Sequence, residues 1–211
     1  MNYVDFKDKF ELFGLFSIQD IRKIVPDFYF KNLNYWQKKN YLIKLKNGWY
    51  CFPEFLRQSK ANWLIANSIY QPSYVSLESI LSFYGLIPDV IFTTTSVATM
   101  RTMTYKTVVG DFYYYTIKPE FYFGYRFLPF VSQEKANHFN RQLRIAELEK
   151  AILDFFYLRK NYRTKQDIID LRFDRHIIQN ELNIETLCNY LSKFKSKTLE
   201  QCVNTVLEVY Q

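Results

Sequence analysis

Hydrophobic and polar positions recur with two different periods over residues 1–60, and the change of period sets out the elements. Val4, Phe6, Phe10 and Phe13 fall on one helical stripe, which Gly14 ends. Ser17 is an N-cap with Asp20 three residues on, and Ile18, Ile21, Ile24 and Val25 share a face of the helix that follows. Pro26-Asp27 closes that helix. A third helix is predicted over about residues 29–39, with Tyr29, Leu33 and Trp36 on its inner stripe. Its outer face carries Lys31, Asn32, Asn34, Tyr35, Lys38 and Lys39. After Asn40 the period becomes two: Leu42, Lys44 and Lys46 alternate with Tyr41, Ile43 and Leu45, a strand with a wet basic face. Asn47-Gly48 is a hairpin turn, Trp49-Tyr50-Cys51-Phe52 returns, and Pro53 ends the strand. Three helices followed by a basic hairpin is the order of a winged helix-turn-helix, in which the second helix of the pair enters the major groove and the wing touches the flanking backbone.

Beyond this unit the pattern is mixed. Residues 54–60 form a short polar connector, and a helix follows over 61–69. Ser76 is predicted to cap a short helix over Ile80, Leu81 and Tyr84, stopped by Gly85. Strands are predicted over 90–95, 105–109, 112–117 and 121–127, with Gly110-Asp111 in a tight turn. An amphipathic helix over 145–158 points Ile145, Leu148, Ile152, Phe155 and Phe156 inward and Glu147, Glu149 and Lys150 outward. Two or three more helices fill 164–210. The fold class is therefore α+β: a winged helix-turn-helix over 1–57, then a mixed α/β domain over 58–211 with a small sheet and several helices.

Charge changes this picture by its location. The formal net charge is +7, and residues 22–60 hold nine basic residues against only Asp27 and Glu54, so the excess is local. A basic patch on a small unit is the footprint of a phosphate-backbone partner. Lys38, Lys39, Lys44 and Lys46 are the candidates for phosphate contact, which gives salt-dependent, sequence-blind affinity. Asn32, Asn34 and Gln37 carry amides that can pair with adenine edges. Tyr35 can pack on a sugar or a thymine methyl, and Lys31 and Asn47 complete the candidate DNA-binding set. Leu33 and Trp36 are expected in the core.

Composition and chemistry mostly exclude. Aromatics reach 19% of the chain, which matches an AT-rich coding bias better than an aromatic binding platform. Five dispersed glycines rule out a Walker A loop and a dinucleotide fingerprint, and the Gly-Ser opening of a nucleotidyltransferase site is missing. Cys51, Cys188 and Cys202 are scattered, with no metal-binding spacing and no disulfide framework. The charged N-terminus is unlike a signal peptide, and the longest charge-free stretch contains Asn, Ser, Gln and Pro, so a cytoplasmic protein without a membrane partner is expected. His138 and His176 are expected at the surface. Glu147, Glu149 and Asp154 are expected on a solvated acidic face, and Lys150 pairs with Asp154 at i, i+4. The Thr93-Thr-Thr-Ser96 run has ligand-bonding capacity but is also ordinary strand composition. No catalytic constellation, metal site or cofactor is expected, and the second domain is read as a binding surface.

The order of motifs resembles the AbiEi family, antitoxins and transcriptional regulators of type IV toxin–antitoxin systems. Carrying the likeness are Asn47-Gly48-Trp49-Tyr50 with Pro53, Tyr74-Val75-Ser76-Leu77-Glu78-Ser79 with Gly85-Leu86, and Ala146 to Asp154, spread over about residues 10–158. Asn47 and Trp49 depart from the residues that usually flank the wing glycine. The resemblance implies a repressor of its own promoter whose C-terminal domain helps repression and opposes a nucleotidyltransferase-type toxin, encoded beside it, without a stable complex. Two other classes remain open: a free-standing winged-helix repressor whose C-terminal domain senses a small molecule, and an enzyme acting on nucleic acid.

Overall fold

Aromatic side chains organise the N-terminal unit, in a computed structural model that describes residues 1–46, 48–130 and 141–210. Helix α1 (Tyr3–Phe10) is capped by Asn2, whose side chain accepts from the Asp5 amide, and buries Phe6 and Phe10. Val4 is 64% exposed and leaves the predicted stripe. A 3-10 turn leads through Gly14 to strand β1 (Leu15–Ser17) and helix α2 (Ile18–Ile24), where Ser17 and Asp20 form a complete capping box. Helix α3 (Lys31–Lys38) buries Leu33 and Trp36; the Trp36 ring lies 4.8 Å from Phe6 and 5.7 Å from Phe28. Tyr29 precedes α3 and is exposed, so the inner stripe starts one turn later than its periodicity predicts. Strands β2 (Ile43–Lys46) and β3 (Trp49–Cys51) pair antiparallel, and β1 joins β3 in the order β1-β3-β2. Asn47 lies outside the described residues.

The two faces of this sheet serve different cores. Phe16 and Tyr50 face each other across β1 and β3 and close the aromatic core under the helices. Leu15, Leu45 and Cys51 join the core of the rest of the chain instead, and burial pushes the Cys51 thiol up to about 12. Phe55, in a 3-10 turn at Pro53–Arg57, enters the same core, so the predicted polar connector takes part in a seam between the two units, with Arg57 and Ser59 left exposed. The Arg141 guanidinium crosses the seam and donates to the Leu15 carbonyl at 2.7 Å. Gly14 sits in that seam with φ +64°, and a Cβ there would clash with the Phe55 ring at Cδ2. Gly14→Ala combines left-handed backbone strain with this clash, so urea denaturation should register a loss of about 2 kcal/mol or more. An unchanged midpoint would contradict the tight seam.

The second unit is a six-stranded mixed sheet with helices against it. It comprises α4 (Ala61–Ile69), β4 (Ser73–Val75), α5 (Glu78–Phe83), β5 (Thr94–Ala98), β6 (Met103–Thr107), β7 (Gly110–Thr116), β8 (Tyr125–Pro129), β9 (Gln142–Ala146) and α6 (Leu148–Leu158). The strand order is β6-β7-β5-β4-β9-β8, parallel at β5/β7 and β4/β9. Four helices follow among the described residues: α7 (Lys165–Asp170), α8 (Arg175–Asn180), α9 (Ile184–Phe194) and α10 (Lys197–Tyr210). Gly85 is left-handed, as the stop signal predicts. The predicted strand over 90–95 moves to β5, since Val90 and Phe92 are 74% and 87% exposed. The stretch 121–127 divides between a 3-10 turn (Pro119–Phe121) and β8. Ile145 belongs to β9 and not to the helix. No helix among the described residues is long and apolar enough to cross a membrane.

Helix α6 overturns the predicted solvated face. Lys150 and Asp154 are fully buried and Glu149 is 8% exposed, because α6 is enclosed by the sheet and by α9 and α10. Lys150 pairs with Asp154, and the Lys150 ammonium also donates to the Tyr74 hydroxyl at 2.9 Å. Tyr74 and Ser76 each donate to Asp154 Oδ2 at 2.9 Å. Ser76 is therefore no helix cap: it follows β4 and ties the sheet to α6, while Leu77 takes the cap position with φ +58°. Burial pushes the Asp154 carboxyl up and the Lys150 ammonium down, while their attraction holds both toward the charged forms. Glu149 accepts from the Asn183 amide at 2.8 Å. Glu147 accepts from Tyr190 at 2.6 Å, a bond that pushes the Tyr190 hydroxyl up to about 12.

Candidate nucleic-acid interface

Helix α3 separates its side chains cleanly. Leu33 and Trp36 hold it to the aromatic core, and Lys31, Asn34, Tyr35, Lys38 and Lys39 stand exposed on the other side. Tyr35 is 56% exposed, with the Lys39 ammonium 5.9 Å from its ring centroid. Tyr29 stands beside the start of the helix at 60% exposed, and the Lys31 ammonium lies 5.8 Å from its ring. Asn34 is exposed, and its Nδ2 makes no hydrogen bond among the described residues. Gln37 donates to the Leu33 carbonyl at 2.8 Å and to Asn34 Oδ1 at 3.5 Å, so its amide serves its own helix. Asn32 is half-buried and donates to the Met1 carbonyl at 3.3 Å. Of the three predicted base-reading amides, Asn34 is thus the one the fold leaves most available.

Lysines of the β2–β3 hairpin divide in the same way. Lys44 is exposed. The register of β2 against β3 shifts between Lys44 and Lys46, and Leu45 and Lys46 turn toward the second unit. Lys46 donates to Tyr105 Oη at 2.7 Å and to the Ile69 carbonyl at 3.0 Å, with its ammonium 4.0 Å from the Tyr105 ring centroid. Lys46 therefore leaves the predicted phosphate-contact set, and Leu42, predicted on the wet face, is 2% exposed in the aromatic core. Among the described residues Lys31, Lys38, Lys39 and Lys44 form no ion pair. Their charge is uncompensated at contact distance, as a surface for an anionic polymer requires. Arg22 and Lys23, exposed near the end of α2, belong to the same basic region.

Elsewhere the described residues offer less chemistry. His176 is exposed and bonds to Asn180, while His138 lies outside the described residues. No group of three or more His, Cys, Asp or Glu among the described residues could hold a metal ion. A cleft of about 440 Å³ opens between the seam and α4, α5 and the approach to β5. Lys60 stands in it 5.0 Å from the Phe83 ring centroid and 5.9 Å from that of Trp63, and Thr93 and Thr94 line its wall. Thr95 instead donates to the Ser76 carbonyl at 2.7 Å, so that part of the threonine run serves the fold. No family model matches the chain, and no curated protein matches it.

Proposed function

We propose that the N-terminal unit is a winged helix-turn-helix and that the protein is a DNA-binding transcriptional repressor of its own promoter. What carries the reading is the exposed face of α3: Lys31, Lys38 and Lys39 without acidic partners among the described residues, Asn34 presented between them, and Lys44 on the adjoining hairpin. In this reading α3 enters the major groove, Asn34 reads base edges, and the lysines neutralise phosphates on either side. The second unit then supplies the other half of the function suggested by the AbiEi resemblance. It acts, in the cytoplasm and without catalytic chemistry, as the antitoxin of a type IV system, opposing a nucleotidyltransferase-type toxin without a stable complex.

Fluorescence anisotropy on the protein's own upstream DNA against a scrambled duplex, at low and moderate salt, tests the repressor. Tight, salt-sensitive binding that prefers the native fragment is the expected result. Asn34→Ala should remove about 1–3 kcal/mol of that preference while leaving binding to the scrambled duplex nearly unchanged. Equal, weak binding to both duplexes would overturn the proposal. The antitoxin half is tested by co-expression with the product of a nucleotidyltransferase gene overlapping or directly following this one; rescue of growth is expected.

A further inference from the structure

Two hairpin ends lie side by side in this fold, although they belong to different sheets. Strand β2 runs toward its turn next to β6 running toward its own, and a shallow groove of about 440 Å³ lies between Lys44, Leu45, Lys46 and Lys106, Thr107, Val108. Lys46 staples the two: its ammonium bonds Tyr105 of β6 and the Ile69 carbonyl of α4. The β6–β7 turn is itself closed by Thr107, which donates to the Gly110 carbonyl at 2.8 Å and accepts from the Val109 amide at 3.2 Å. At this tip Lys106 is exposed and Val108 is 83% exposed. Asp111 is the register partner of Lys106, and no ion pair joins them among the described residues.

We infer that the β6–β7 hairpin is a second wing, whose tip holds the duplex backbone next to the segment held by the β2–β3 hairpin. The inference rests on the reading of the N-terminal unit as DNA-binding and extends its footprint onto the second unit. Charge complementarity selects the occupant: Lys44 and Lys106 line one groove and form no ion pair among the described residues, so both ammonium groups are available to phosphates. Val108, 83% exposed, supplies a small apolar tip beside these cations. The position is fixed by the Lys46 staple and the buried seam, so the second tip requires no ordering when DNA binds.

Salt titration of the full-length protein by anisotropy, on native and scrambled duplexes, distinguishes the possibilities. Lys106→Ala should weaken binding to both duplexes by about 3- to 10-fold and flatten the salt slope by about 1 unit. Asp111→Asn should tighten binding to both by a few fold, a gain that misfolding cannot produce. Lys38→Ala with Lys39→Ala is the control for α3. If that control weakens binding while the Lys106 and Asp111 variants match the unmodified protein, the second wing is wrong and the N-terminal reading stands. If none of the three variants differs from the unmodified protein, the DNA-binding reading falls and the second wing falls with it.

Discussion

Lys150→Met should destabilise the protein by about 3–5 kcal/mol, measured by urea denaturation, although it removes a single ammonium far from any surface. The loss arises from what stays behind. Asp154 would remain fully buried with only the Tyr74 and Ser76 hydroxyls bonded to it, and would have either to carry an uncompensated charge or to take up a proton. Asp154→Asn should cost a similar amount by stranding the Lys150 ammonium. The double variant is the informative one, because it removes both charges, and Asn at position 154 can still accept from Ser76 and Tyr74. It should be more stable than either single variant, since a buried pair that is taken away whole no longer carries the cost of desolvating two ions. Strictly additive losses would show that the pair is uncoupled and that packing alone explains the single variants.

Replacing Lys38 and Lys39 together by Ala should weaken DNA binding by about 30-fold at physiological salt and flatten the salt slope by about 2 units. Each lysine that neutralises a phosphate releases about 0.9 counterion, and two lost contacts give both figures. Neither lysine makes an ion pair among the described residues, and both project from the side of α3 opposite Leu33 and Trp36. Their removal leaves the aromatic core intact, so thermal stability should hold within about 0.5 kcal/mol. An unaltered slope would displace α3 from the interface.

Much of the N-terminal unit is legible in the sequence because its signals are local. The Ser17–Asp20 cap, the Leu33–Trp36 spacing and the change of period after Asn40 each need only a few neighbouring residues to be read. Strands β4 and β9 leave no such mark. They lie inside the larger sheet, β4 buried along its whole length, and their pairing depends on residues far away along the chain. The fates of Lys46 and Ser76 are set in the same non-local way, by Tyr105 and Asp154 respectively. Helix α6 did carry a clue: its apolar residues surround Lys150 and Asp154 on all sides of the helix, and a helix that is hydrophobic all round is a buried one. Gln37 shows the opposite limit. Its residue type is right for base reading, but one hydrogen bond to the Leu33 carbonyl commits it elsewhere.

The seam between the two units has a consequence for genetic dissection. Leu15, Leu45, Cys51 and Phe55 are covered by the second unit, so a fragment ending at Arg57 would present them to water as a sticky apolar face. Its failure to repress, or its aggregation, would be a property of the cut. The same holds for a C-terminal fragment, which loses the other side of that contact. The proposed roles in repression and in antitoxicity are therefore best tested in the intact chain, by exchanging exposed residues on α3 or at the β6–β7 tip, where no packing partner is disturbed and each allele reports on one surface alone.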